Sequence, residues 1–172
     1  MSTVQMCFLP YTPRADSDAR GYEEWLRSTD NPFFNSRPGI GHYSNWKVAS
    51  GDPGFTHFDI LLIAPGFGPD DIWADEPLAA FAADWVRLWG VEPAGDPALN
   101  YHCHIAERSG GDAGDFASQI VIDPSSSIGE SWTFTGSVVG TQPWPGFSCR
   151  FGDEATGDGL IRGELIAAPS QA

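Results

Sequence analysis

Lysine is nearly missing from this chain of 172 residues, with Lys47 the single example, and nine basic side chains in all stand against 23 acidic ones. Nucleic acid and anionic membrane surfaces both require clustered Lys and Arg, so a net charge of -14 argues against either as a partner. Cysteine is also scarce. Cys7, Cys103 and Cys149 are odd in number and have no short spacing, which excludes a disulfide framework and fits a reducing compartment. No run approaches the roughly 18 apolar residues of a membrane span. The first residues lack a basic segment followed by an apolar one, so a soluble, cytoplasmic protein is expected. Gly66-Phe67-Gly68 lacks the third glycine of a dinucleotide fingerprint and runs into Pro69. Ser109-Gly110-Gly111 is not followed by the Lys of a phosphate loop, and the chain shows neither an internal repeat nor a long low-complexity tract.

What is present is most legible between Tyr22 and Ile63. Tyr22, Trp25, Leu26 and Thr29 recur at i, i+3, i+4 and i+7, the stripe of an amphipathic helix. Asp16, Ser17 or Asp18 can cap it, and Pro32 is expected to end it. Arg37-Pro38-Gly39 opens a strand from Ile40 to Ala49, which Ser50-Gly51-Asp52-Pro53-Gly54 turns back into a second strand from Phe55 to Ile63. After the loop Ala64 to Pro69, a second helix follows. Pro77 starts it, Leu78, Phe81, Ala82, Trp85, Leu88 and Trp89 keep its stripe, and Gly90 stops it.

Thr3 to Leu9 reads as a strand closed by Pro10 and Pro13, and Asn100 to Ala106 as another beyond the linker Glu92 to Pro97. The resulting order, strand, helix, strand, strand, helix, strand, predicts an α+β ferredoxin-like βαββαβ unit over residues 1–108. Beyond it, short runs at Ala117 to Ile122, Ser131 to Val139, Phe147 to Phe151 and Leu160 to Ala167 predict a β-rich extension, 109–172, packed on the first unit.

This order, with the runs Tyr22-Glu23-Glu24-Trp25-Leu26, Asn31-Pro32-Phe33-Phe34-Asn35 and Pro38-Gly39-Ile40, resembles the dimeric α+β barrel superfamily. Within it, the nearest likeness is to the REDY-like proteins of pigment biosynthesis clusters. The resemblance implies a homodimer in which two four-stranded sheets pair, with helices outside and a ligand cavity beside the inner face. It also implies a reaction among those of the superfamily, which include cofactor-independent monooxygenases, polyketide cyclases, lactone isomerases and haem-handling proteins.

All four histidines fall on expected strands: His42, His57, His102 and His104. Alternation puts His57 and Asp59 on one face, with Phe58, Ile60 and Leu62 on the other. The apolar set suits packing under helices, which would leave His57 and Asp59 facing a cavity. A hairpin turning about Asp52 sets Lys47 and Asn45 opposite them with Tyr43 next, whereas a one-residue slip would bring Trp46, Ser44 and His42. An imidazole, with an unperturbed pKa of about 6.5, can exchange protons near neutrality, so His57 is the candidate base with Asp59 orienting it. His102 and His104 share a face and join the catalytic candidates. Tyr43 and Asn45 can donate to a developing oxyanion, and Trp25, Trp46, Phe33 and Phe34 offer flat apolar surface to an aromatic ligand. The expectation is a cofactor-independent acid-base enzyme acting on a small apolar or aromatic molecule by cyclisation, isomerisation or oxygenation. A metal enzyme using His57, Asp59, His102 and His104 is the sharper alternative, and a non-catalytic ligand carrier is the third. Lys47 as a Schiff-base amine and Cys103 as a nucleophile are weaker candidates, since strand lysines are mostly solvated and strand cysteines mostly buried hydrophobes.

Overall fold

The computed structural model describes residues 3–109, 117–126, 130–152 and 157–169; Gly110 and Gly111, of the run that lacks the lysine of a phosphate loop, lie outside them. Eight strands form. They are β1 (Thr3–Tyr11), β2 (Ile40–Ser50), β3 (His57–Ile63), β4 (Cys103–Ser109), β5 (Gln119–Asp123), β6 (Glu130–Val139), β7 (Gly146–Phe151) and β8 (Ile161–Ala167). Between β1 and β2 lie α1 (Tyr22–Trp25), a π-helical turn (Leu26–Asp30) and α2 (Asn31–Asn35). Between β3 and β4 lie α3 (Pro69–Trp73), α4 (Glu76–Trp89) and a short 3-10 turn (Pro97–Leu99).

The strands close into one antiparallel barrel in the order β1-β3-β2-β8-β5-β7-β6-β4, with β4 returning to β1. This overturns the ferredoxin-like βαββαβ fold and the dimeric α+β barrel resemblance. In a dimeric barrel two sheets from two chains enclose the interior, whereas here β8 takes the free edge of β2 and β6 the free edge of β4. The C-terminal strands are therefore half of the wall, and closure removes the unpaired edges that an open sheet would expose. The two-chain sheet pairing falls with the resemblance, and with it go the argument it gave for a homodimer and the cyclase, isomerase and monooxygenase labels it carried.

The barrel's inside is filled by its own side chains. Met6 and Phe8 of β1, Trp46 of β2, Phe58 and Ile60 of β3, Ile120 and Ile122 of β5 and Phe147 of β7 form one buried cluster. Phe8 stands 5.6 Å from Phe58 and 5.3 Å from Phe147, centre to centre, and Trp46 lies nearly parallel to Phe58 at 6.1 Å. An eight-stranded barrel is just wide enough to be packed in this way. Space inside is tight enough that Gly163 of β8 has no room for a methyl group: a Cβ there would fall 2.7 Å from Phe58 Cζ and 2.8 Å from Ile120 Cγ2. Gly163→Ala is accordingly expected to lower stability by about 1–3 kcal/mol, read as an earlier urea midpoint with an unchanged slope.

The helices cover the outer face of β1, β2, β3 and β4. Cys7, Leu9, Tyr43, Leu61, Cys103 and Ile105 meet Phe34, Ile72 and Leu78 there, and Tyr11 meets Tyr22, Leu26, Trp85 and Trp89. The expected facing of β3 is thus inverted: the apolar set Phe58 and Ile60 fills the barrel, while His57 and Asp59 lie under the helices. Among the described residues no helix is long and apolar enough to cross a membrane.

Candidate functional site

The β2–β3 hairpin sets the site's polar floor. Asn45 pairs with Asp59 and Lys47 with His57, the register that a turn about Asp52 predicts. Above this floor runs the first helical segment. Tyr22, Leu26 and Asp30 recur every four residues and are all buried, so the inward stripe ends on a carboxyl. Pro32 does not end the helix as expected, because it occupies the first turn of α2, where its missing N–H costs no bond. The strain is taken one turn earlier, where the Asn31 N–H reaches back five residues to the Leu26 carbonyl. This wider turn leaves Asp30 and the adjacent Asn31 both buried, at 2 % exposure each. Such single π turns often mark functional sites.

Asp30 and Asp59 meet at Tyr43. The phenol oxygen lies 3.0 Å from Asp30 Oδ2 and 2.8 Å from Asp59 Oδ2. Asn45 Nδ2 donates to Asp30 Oδ2 and to Asp59 Oδ1, at 2.9 Å in each case. Its two hydrogens are thereby used. Tyr43 has only one, so it can donate to one carboxyl and must accept from the other. If both carboxyls were ionised, one anionic oxygen would face the phenol's lone pairs, which is repulsive. A proton on that carboxyl turns the contact into a hydrogen bond. The geometry therefore fits a pair that holds one proton, passed through the Tyr43 hydroxyl.

The electrostatics agree. Burial pushes Asp30 up to about 7, against the opposing pull of the Asn45 and Tyr43 hydrogen bonds. Burial and then the charge of Asp30 hold Asp59 well above the usual carboxylate range. Among the described residues, neither carboxyl forms an ion pair. Two buried carboxyls side by side with no ion pair behave this way because like charges cannot both ionise.

Asparagines hold the group in place. Asn31 Nδ2 donates to Asn45 Oδ1 at 3.1 Å, which fixes the Asn45 amide with its NH2 toward the carboxyls. Asn35 Oδ1 accepts from the Tyr43 N–H at 2.9 Å, and Asn35 Nδ2 donates to the Tyr43 carbonyl at 3.0 Å. The Tyr43 ring stacks on Phe34, with centres 4.3 Å apart.

Asp30, Tyr43 and Asp59 line a cavity of about 40 Å³ whose other walls include Leu9, Tyr11, Phe34, Trp73, Phe81 and Trp85. That volume holds a few waters or one small functional group in apolar surroundings. The hollow therefore lies between the barrel wall and the helices.

The remaining candidates go elsewhere. His57 is buried and stacks on Tyr11; its Nδ1 is 2.8 Å from Thr56 Oγ1 and its Nε2 has no partner. Burial, with Lys47 adding to it, pulls its pKa down to about 4, so it is neutral at ordinary pH. No hydrogen bond joins it to Asp59 among the described residues. His104 points into the barrel against Phe134, with Nδ1 2.7 Å from Ser137 Oγ, and burial lowers its pKa to about 4. His102 stands beside it at the barrel's end, 5.4 Å away ring to ring. His57 and His104 thus lie on opposite faces of the barrel wall. Among the described residues no three His, Cys, Asp or Glu side chains gather to hold a metal. Trp46 is inside the barrel with Nε1 on Ser44 Oγ, while Trp25 stacks on Phe81 behind the cavity wall. Lys47 reaches Glu23 at 3.4 Å and is 41 % exposed, and Cys103 is fully buried.

Asp30, Tyr11 and the bracing Asn31 and Asn35 are not among the residues the sequence singles out for the site. Asp30 carried a usable signal, since it continues the Tyr22–Leu26 stripe with a charged group. Tyr11 lies between Pro10 and Pro13, beyond the strand expected over Thr3 to Leu9, and carries none; β1 in fact runs on through Pro10 to Tyr11. Against protein families, curated proteins and solved structures the chain finds no match, so the likeness to REDY-like proteins has no further support.

Proposed function

We propose that the protein is a small-molecule enzyme in which the Asp30–Asp59 pair gives and takes a proton at an apolar molecule bearing a carbonyl or phenolic oxygen. The observation that carries this reading is the Tyr43 hydroxyl held between two buried carboxyls without a cation. A shared proton makes one member an acid and the other a base at the same pH, and burial raises both above the usual carboxylate range, Asp30 to about 7, in the direction that acid-base catalysis near neutrality needs. Both face the same small cavity, so donor and acceptor reach one substrate group. No cofactor is needed for such a step. Three free, buried thiols support the cytoplasmic setting.

The chemistry is tested with 1-indanone and acetophenone in deuterated buffer, with exchange of the hydrogens beside the carbonyl followed by NMR. The base removes a proton from carbon, the acid protonates the oxygen, and reversal returns a deuteron. Exchange is expected well above the buffer rate, falling on the order of 100-fold in Asp30→Asn. Exchange no faster than buffer with both ketones, or an equal rate in the variant, would overturn the catalytic reading. Ketones bound without exchange would instead favour a carrier.

A further inference from the structure

A second and larger hollow opens at the end of the barrel, about 320 Å³ in volume, close to the lower size of small-molecule sites. Pro53, Phe55, Val91, Leu99 and Pro143 give it apolar walls, and Thr12, Asn100, His102 and Thr141 give it polar ones. Among the described residues, no Asp, Glu, Lys or Arg lines it. Val91 and Leu99 are, among the described residues, two of the few large apolar side chains left open to solvent, 47 % and 60 % exposed, and both stand on this cleft. Tyr11, the last residue of β1, and Tyr101 pair in an isolated antiparallel bridge, and both line this cleft and the 40 Å³ cavity. They form the partition between them.

Tyr11 is also the end of a hydrogen-bond chain. Trp85 Nε1 donates to the Tyr22 oxygen at 2.9 Å, and the Tyr22 hydroxyl donates to the Tyr11 oxygen at 2.9 Å. Each donor in turn is used. One hydrogen bond joins the two hydroxyls, so one of their two protons is unused among the described residues; with Tyr22 donating it is that of Tyr11, the one of the pair that lines both hollows and is only 5 % exposed. A buried hydroxyl left with an unused donor is costly unless something completes it.

We propose that the cleft and the inner cavity are two chambers of one ligand site, and that Tyr11 in the partition donates its proton to the ligand's oxygen. The occupant is a neutral, flat molecule of one or two rings carrying one carbonyl or phenolic oxygen. Its rings rest on the prolines and Phe55 of the outer chamber. The inner chamber is too small for a ring and takes only the oxygen-bearing end, which Tyr11 fixes beside the carboxyl pair. This rests on the acid-base reading for what happens next, but not for binding.

The test is calorimetric titration with 1-indanone and with indane, its counterpart without oxygen. The parent is expected to bind both, indanone more tightly. Tyr11→Phe should weaken indanone about tenfold, the loss of one buried hydrogen bond, and leave indane unchanged. Leu99→Arg, at a side chain too exposed to matter for folding, should weaken both. Asp30→Asn should still bind indanone while losing exchange, so a failed reaction and a failed site give different results. Failure of indanone to bind at millimolar concentration, an unchanged affinity in Tyr11→Phe, or unchanged affinities in Leu99→Arg would each overturn the proposal.

Discussion

Replacing Asp30 by asparagine is expected to move stability in the variant's favour, relative to the parent, by about 4 kcal/mol between about pH 4 and about pH 8. In the parent, burial raises this acid from the usual 3.8 to about 7. At roughly 1.4 kcal/mol for each tenfold change in proton affinity, that rise amounts to about 4 kcal/mol. The sign follows from which state holds the proton. Between the two values the folded chain keeps it and the unfolded chain has released it, so raising the pH favours unfolding. Below the lower value both are protonated and the difference vanishes. Asparagine has the shape of the protonated acid and no proton to lose. Asp59 changes the slope in the same direction: it too is raised by burial and by the charge of Asp30, and the substitution removes that charge. His57 and His104 work the other way, since burial lowers both to about 4 and folding then loses stability as the pH falls below about 6.5. Both are present in parent and variant, so their slopes cancel in the difference. Urea unfolding of both proteins across this range is the measurement. A difference that stays flat would mean that Asp30 does not titrate as a buried acid.

What the chain disclosed about itself was local. The stripe of α4 and the chemistry of the Asp52 turn each involve neighbours in sequence, and the turn alone was enough to set Asn45 against Asp59 and Lys47 against His57. Barrel closure was not local. It depends on β8 finding β2 and β6 finding β4, and the C-terminal strands carry the same alternation whether they extend a sheet, pack on one or close it. Facing failed for a related reason: alternation says which residues share a face, not which face turns inward. Phe58 and Ile60 could as well lie under helices as inside a barrel. What decided it was that Ile120, Ile122, Phe147 and Ile161 of β5, β7 and β8 complete with them the single cluster that fills the barrel. His57 and Asp59 then fell under the helices, where a polar face is acceptable because Tyr43, Asn45 and Asn31 satisfy most of it. Pro32 was read as a stop since a proline cannot accept a mid-helix position, yet the helix widened one turn before it and continued.

Tyr43→Phe is expected to cost about 3–5 kcal/mol near pH 8 and only about 1 kcal/mol near pH 4. The ring is kept, and with it the stack on Phe34, so the loss belongs to the hydroxyl. At the acidic end both carboxyls are neutral, and the change removes one ordinary hydrogen bond. At the alkaline end the hydroxyl is a donor to a buried anion that has no cation to turn to. Its hydrogen bonds hold down the proton affinity of both Asp30 and Asp59, so without it both rise further and the folded state loses more as the pH increases. The same substitution on the Asp30→Asn background should lose most of this pH dependence, because the remaining carboxyl no longer has a second charge across the phenol. Measuring the two single variants and the double at both ends of the range gives the coupling directly. An equal cost for Tyr43→Phe at both ends, or the same cost with and without Asp30, would show that the hydroxyl bridges no shared proton, and the acid-base reading would lose its centre.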